Sequence, residues 1–321
     1  MKIPNKQIVP MVVPNRRAFT QQTAFGLGSI LVGYSATASE PNESDNWIDA
    51  HVHVWTSDTV RYPIDGRHAP EEMTPLSFTP EELFSECRPA GVSKVVLIQM
   101  SFYEADHRFM FDCMTAYPGL FSAVGLIDYR AANLFATMER LAAGGVRGFR
   151  LHSHGDAHEW LESQAMALLW KTAAEQGWAV CPLINPEEIP IINALCARFP
   201  QTTVVVDHFA RVGISGRIEP KQLEELCKLS KHPRTHVKTS AFYALGRKQP
   251  PYSDLLPMIR TVVDAFGPER LMWASDCPFQ VQAPHTYKAS LALIHDQADF
   301  LSTGDKEWLL RKTADKVFFH S

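Results

Sequence analysis

The 321-residue sequence predicts an α/β chain folded as a (β/α)8 TIM barrel, a single domain over residues 47–321. Short runs rich in Val, Ile and Phe alternate with stretches of helical period, and the alternation repeats eight times, the size and rhythm of such a barrel. No Gly-x-Gly-x-x-Gly follows any of the runs, which argues against a doubly wound nucleotide-binding sheet.

Strands are expected at 47–54, 93–99, 121–127, 146–151, 178–184, 203–207, 236–240 and 270–275. Helices are expected between them at 80–89, 105–117, 131–143, 162–176, 186–199, 220–231, 252–266 and 287–301, with a last one at 304–318. Thr79-Pro80 and Asn185-Pro186 place a capping residue before a Pro that suits a first helical turn. Gly91, Gly144, Gly177 and Gly267 stand where helices end.

The first 38 residues do not share this pattern. They carry Lys2, Lys6, Arg16 and Arg17 and no acidic residue, then an apolar stretch at 24–34 and the small-residue site Ala36-Thr37-Ala38. The paired arginines with Phe19 beyond them resemble a twin-arginine-type signal peptide, so residues 1–38 are expected to direct export to the periplasm or another extracytoplasmic space, with 39–46 as a linker. The apolar stretch is well short of the roughly 20 residues that span a bilayer, and no membrane span is expected in the mature chain. Without residues 1–38 the chain has 27 basic and 35 acidic residues, a net charge of −8, which argues against nucleic acid or an anionic membrane as a partner. The cysteines at 87, 113, 181, 196, 227 and 277 show no C-x-x-C spacing and are expected as free thiols. No sequence feature specifies an oligomeric state.

Catalytic groups of such barrels stand at the C-terminal ends of the strands. Alternation along the first strand, with Ile48, Ala50 and Val52 turned outward, sends Asp49, His51 and His53 inward. The same parity aligns Gly148, Arg150 and His152 on the fourth strand and Val204, Val206 and His208 on the sixth. On the seventh it aligns His236, Lys238 and Ser240, and on the eighth Met272, Ala274 and Asp276. The second strand ends in Gln99 and the fifth in Asn185. A lone His at a strand end is more often structural than catalytic, and Asp207, of opposite parity to His208, is expected to anchor backbone or Arg211. The combination of His-x-His, His208 and Asp276 carries the functional reading.

That combination, with IDAHVHVW, GFRLH, VVVDHFAR, VKTSAFY and LMWASDCPF in order, resembles the amidohydrolase-related TIM-barrel family of predicted metal-dependent hydrolases, from about residue 47 to 318. In the family's zinc- or manganese-dependent decarboxylases, the first-strand histidines, a fifth-strand histidine and the eighth-strand aspartate bind metal. Its lactonases, acting on sugar lactones or pyrone dicarboxylate, lack the fifth-strand histidine. Here the fifth strand reads AVCPLINP, and HVHVW and DHFAR also resemble the lactonase branch. The resemblance implies that no cofactor is required, while His51, His53 and Asp276 could still supply three ligands to one divalent zinc or manganese.

The expected reaction is opening of a sugar-acid lactone. Asp276 activates water, His51, His53 and His208 polarise the carbonyl, and Arg150 and Lys238 bind a substrate carboxylate or stabilise the oxyanion. His152, Gln99, Arg211 and Tyr243 complete the expected substrate pocket. The loop at 56–79 has the length of a lid, and its Arg61, Arg67 and His68 are more plausible as solvated charges than as ligands. The alternatives are a metal-dependent decarboxylase or amide hydrolase, and a non-catalytic binding protein on the same scaffold.

Overall fold

A computed structural model describes residues 46–155 and 157–319; the expected signal peptide and all but the last residue of the expected linker lie outside them. Eight parallel strands follow one another in chain order: β1 (Trp47–Val52), β2 (Val92–Ile98), β3 (Phe121–Leu126), β4 (Val146–His152), β5 (Ala179–Leu183), β6 (Thr203–Val206), β7 (Thr235–Thr239) and β8 (Leu271–Trp273). The ring closes where the chain beyond β8 bridges back to β1, Val52 pairing with Cys277 and His53 N donating to Cys277 O at 2.8 Å. All eight expected strands form.

The expected helices form as well, with trimmed ends. They are α1 (Pro80–Cys87), α2 (Arg108–Ala116), α3 (Leu134–Ala143), α4 (Glu159–Glu162), α5 (Gln164–Gln176), α6 (Ile189–Arg198), α7 (Pro220–Lys228), α8 (Leu256–Phe266), α9 (Tyr287–His295), α10 (Thr303–Glu307) and α11 (Thr313–Phe318). Local chemistry sets several boundaries. Thr79 and Glu82 form a reciprocal capping box at the start of α1. α5 stops at Gly177, whose φ of 72° is a left-handed conformation that glycine adopts without penalty. The stretch expected at 304–318 is interrupted by a π-helical turn at Trp308–Lys312. None of the described helices is long and apolar enough to cross a membrane.

Two apolar layers result. The larger lies between strands and helices, with Val95, Leu97, Phe149, Leu151, Val180, Val237 and Trp273 on the strand side. The smaller fills the barrel, where Ile48, Ala50, Val96, Ile98, Val124, Ala179, Cys181, Val205, Met272 and Ala274 meet although they come from six strands or their continuations. Only side chains pointing at the axis can converge in this way. Phe318 closes the bottom of this inner cluster, and Ser122 Oγ donates to its carbonyl at 2.6 Å.

The inner cluster corrects the expected parity of β1. Ile48 and Ala50 point inward, and Asp49 points outward, where it accepts from Tyr287 of α9 at 2.7 Å and from Ser275 N at 2.9 Å. A bulge then reverses the alternation: Asp49 pairs with Val95 and Val52 with Leu97, three steps on β1 against two on β2. This irregularity delivers both His51 and His53 to the interior. On β6 the inward residues are Val205 and Asp207, with Val204 and Val206 outward.

Candidate active site

The polar groups gather where the inner apolar cluster ends, on the C-terminal side of the strands. His51 Nε2 and His53 Nε2 stand 3.2 Å apart. Asp276 Oδ1 lies 3.5 Å from the first and 3.6 Å from the second. Asp276 Oδ2 accepts from the Tyr243 hydroxyl at 2.8 Å and faces His208 Nε2 at 3.8 Å. Each of these residues except Tyr243 is buried to within 5% of full exclusion from solvent, which strengthens every electrostatic contact among them.

His208 reaches this group by a strained route. Asp207 takes the inward position at the end of β6, and four consecutive residues, His208 to Arg211, follow with φ between 51° and 59°. None is glycine, so each costs about 1–2 kcal/mol relative to an ordinary turn. The left-handed turn swings the His208 ring back over the barrel mouth, 4.5 Å from the His51 ring. Asp276 is also left-handed, with φ of 65°. Strain held at two groups that face each other is characteristic of a functional site.

Hydrogen bonds fix the proton positions. His53 Nδ1 donates to Ile98 O at 2.9 Å, which leaves Nε2 with a lone pair. Ser240 Oγ donates to Lys238 O at 3.4 Å and accepts from His208 Nδ1 at 2.8 Å, so His208 Nε2 is likewise a free acceptor. Burial holds His208 down to about 4, against the opposing pull of Asp276. Burial and then Lys238 hold His51 well below its ordinary value. For Asp276, burial alone would raise the carboxyl, but the His208, His53 and His51 rings that face it outweigh this and keep it well below the usual carboxylate range. At neutral pH the site therefore holds the Asp276 carboxylate facing the neutral imidazoles of His51 and His208.

Beneath this layer lies a second one. Lys238 Nζ is 3.0 Å from Asp207 Oδ1 and 3.1 Å from His51 Nδ1, and Asp207 also faces His51 Nδ1 at 3.4 Å and Arg150 Nε at 3.7 Å. Two expectations are corrected here. Lys238, expected in the substrate pocket, is fully buried and outside the cavity wall, because β7 presents it one layer below the mouth, where it faces Asp207 and His51. Asp207 anchors the floor of the site, not Arg211, which donates instead to Asn185 Oδ1 at 3.1 Å. An acid and a lysine at the same depth on neighbouring strands were the sequence signal for this pair.

Above the site opens a cavity of about 290 Å³, lined among others by His53, Gln99, Arg150, His152, His208, Arg211, Tyr243 and Asp276. All expected pocket residues except Lys238 reach it. Gln99 spends its amide N–H groups on the carbonyls of Glu104 and Asp106, shaping the adjoining loop. Burial holds His152 down to about 4, with His154, whose ring lies 4.0 Å away, adding to the shift. The 56–79 loop does not line the cavity: Arg61 pairs with Asp112, Arg67 with Asp65 and Glu104, and His68 with Glu72 and Glu104.

The donor set suits a divalent cation. Two Nε2 lone pairs at 3.2 Å repel unless a proton or a cation lies between them, and the three mutual separations of His51, His53 and Asp276, 3.2 to 3.6 Å, bracket the about 3.3 Å edge of a tetrahedron with zinc–ligand bond lengths. Asp207 beside His51 Nδ1 would orient the ring as metal-bound histidines require.

A parallel eight-stranded barrel with paired histidines, a third histidine and an aspartate converging at its mouth is an enzyme of the hydrolytic TIM-barrel class. The chain belongs to the amidohydrolase family, which matches residues 48–319. It is 28% identical over 244 residues to the L-fucono-1,5-lactonase of Burkholderia ambifaria, covering 74% of this chain and 82% of that protein. It is 26% identical over 241 residues to the 2-pyrone-4,6-dicarboxylate hydrolase of Comamonas testosteroni, covering 72% and 76%. An amidohydrolase from Burkholderia multivorans, solved with bound zinc, shares the fold at a TM-score of 0.71 and 21% identity, over 85% of this chain and 98% of that one. The Burkholderia ambifaria and Comamonas testosteroni relatives match the lactonase branch that the sequence motifs resemble.

Proposed function

We propose that the protein hydrolyses a lactone, the leading candidate being a sugar-acid lactone that bears a further carboxylate outside its ester ring. The observation that carries this reading is the Asp276 carboxylate at the cavity floor with the Arg150 and Arg211 guanidinium groups in the wall of the same cavity. The named activities of the Burkholderia ambifaria and Comamonas testosteroni relatives, both on cyclic esters, support it.

In this reading Asp276 accepts a proton from water as the water oxygen attacks the ester carbonyl carbon. His208 Nε2, 3.8 Å from Asp276 Oδ2 and free of a hydrogen, helps to hold that water. Tyr243 keeps Oδ2 aligned by its 2.8 Å hydrogen bond. When the ring C–O bond breaks, protonated Asp276 returns its proton to the leaving alkoxide, giving a hydroxy acid that ionises at neutral pH and releases one proton to solvent. Arg150 and Arg211 orient the substrate's carboxylate.

His51, His53 and Asp276 would hold a divalent zinc or manganese, as the zinc-bound Burkholderia multivorans relative suggests. Such an ion, when bound, polarises the ester carbonyl and acidifies water. We also propose that residues 1–38 export the chain by the twin-arginine route, on the strength of Arg16-Arg17, the apolar stretch and Ala36-Thr37-Ala38.

The test is proton release from matched lactones with and without a carboxylate substituent. Turnover concentrated in the carboxylated members is expected. Turnover of none, together with carbon dioxide release from aromatic acids, would replace the lactonase reading with decarboxylation.

A further inference from the structure

The barrel mouth contains two adjoining sets of cation ligands that share one residue. His51, His53 and Asp276 form the first; His51, Asp207 and His208 form the second, with ligand atoms all within 4.8 Å of one another. The second set lies deeper, and its acid is unusual. Asp207 is fully buried, yet neither of its carboxylate oxygens receives a properly aligned hydrogen bond. A buried carboxylate without donors persists only beside a positive charge.

Lys238 supplies the nearer such charge, with Arg150 Nε farther off, 3.7 Å from Asp207 Oδ2. Lys238 Nζ lies 3.0 Å from Asp207 Oδ1 and 3.1 Å from His51 Nδ1, close to two of the three ligand atoms of the second set. The ammonium enters from below, over the Phe318 ring at 5.6 Å, so α11 closes the space behind it. Its approach to Asp207 is close without being a directed hydrogen bond, as befits a charge placed among ligands.

We propose that Lys238 is a built-in cation occupying the second ligand set, so that the barrel takes a single divalent ion, at His51, His53 and Asp276. The inference rests on the metal reading above for that first ion and adds the reason a second is excluded. Lys238 is a positioning residue: it holds Asp207 and the Nδ1 side of His51 in place without touching substrate. A metal in its position would compete for His51, Asp207 and His208 together and would draw His208 away from Asp276.

The experiment is zinc stoichiometry by equilibrium dialysis and elemental analysis, with thermal unfolding followed in parallel, on the wild-type chain, Lys238→Met and the double variant Lys238→Met/Asp207→Asn. Lys238→Met leaves buried Asp207 with Arg150, 3.7 Å away, as its remaining cationic neighbour, so it is expected to melt lower than wild type without metal and to recover with zinc. The expected contents are one ion in wild type, two in Lys238→Met, where His51 gives up its ring proton to solvent and bridges the two ions as imidazolate, and one in the double variant, in which the second ligand set has lost its acid. Two ions in wild type, or one in both wild type and a folded Lys238→Met, would overturn the proposal while leaving the first metal site standing. If Lys238→Met fails to fold, zinc added during refolding must rescue it and must not alter the yield of the double variant; failure of that rescue also overturns the proposal. No ion in wild type but one in Lys238→Met, lost again in the double variant, would remove the metal reading and keep the built-in cation. No ion in any of the three would remove both.

Discussion

His51 and His53 point their Nε2 atoms at each other across 3.2 Å, a contact that exists because β1 bulges between Asp49 and Val52. In a regular strand two residues two apart share a face with their side chains side by side. Here the extra residue turns Asp49 away to brace α9 through Tyr287 and tilts the two rings together. The strand is thus both a structural strut and a ligand arm.

Tyr243→Phe removes the hydrogen bond to the Asp276 carboxylate. Hydrogen bonds to charged groups contribute about 1.5–3 kcal/mol, so turnover is expected to fall by roughly 10- to 100-fold. Losing a donor to the ionised form raises the Asp276 pKa, so the acid limb of the pH–rate profile should move to higher pH. An unchanged limb would mean that Tyr243 acts on substrate and not on Asp276.

Arg211→Gln keeps a polar side chain in the cavity wall and removes the charge. For a carboxylated lactone KM should rise by about 10-fold or more, the scale of a lost charge-assisted hydrogen bond, with little change for an uncharged lactone. Steady-state kinetics on the matched pair checks this, and an equal effect on both substrates would assign Arg211 to shaping the pocket.

Acid should destabilise the fold before it unfolds most carboxylate networks. His107 and His236, both buried, are held by burial down to about 4. His107 is tied on both sides, donating from Nδ1 to Ala105 O and accepting at Nε2 from Leu126 N, and a proton on Nε2 would break the second bond. Unfolded, each histidine takes up a proton near 6.5, while the folded chain resists until about 4. Between these values the unfolded state binds more protons, so stability is full above pH 6.5 and falls as pH drops toward 4, by on the order of 3 kcal/mol per histidine. Asp49, pushed up to about 6 by burial, works with the opposite sign and offsets part of the loss. Denaturant unfolding between pH 7 and 4.5 should show the decline, and His107→Gln should reduce its slope by about one proton.

Replacing Arg16 and Arg17 with Lys should trap the full-length precursor inside the cell if residues 1–38 are a twin-arginine signal. Fractionation with an antibody to the barrel reads this out. Continued export of the variant would assign the segment to another route.

The fold was legible because its signals are repeated: each strand is an apolar run, each helix has its period, and caps such as Thr79-Pro80 mark where one yields to the next. The chemistry at the mouth was legible for a related reason, since His51, His53, His208 and Asp276 all fall at strand ends. Three features were not. The β1 bulge leaves no mark, because WIDAHV alternates as well with Asp49 inward as outward. The left-handed run from His208 to Arg211 contains no glycine to announce it, and it gives Asp207 the inward strand position expected for His208 while still bringing the His208 ring to the mouth. Lys238 looked like a substrate anchor because its parity is correct; its depth is set by Phe318, eighty residues away in the chain and adjacent only after the barrel closes. Parity is local, whereas depth and the partners of a buried charge are tertiary.

The most direct test compares proton release from a carboxylated sugar lactone by the wild-type chain and by Asp276→Asn, with zinc content measured on the same samples. Turnover in the wild type and its loss by about 10²- to 10⁴-fold in a folded Asp276→Asn is the predicted result, the range expected when a general base is removed. A variant that hydrolyses the lactone at near wild-type rate would show that the water is activated elsewhere, and the assignment of this cavity floor as the hydrolytic centre would fall.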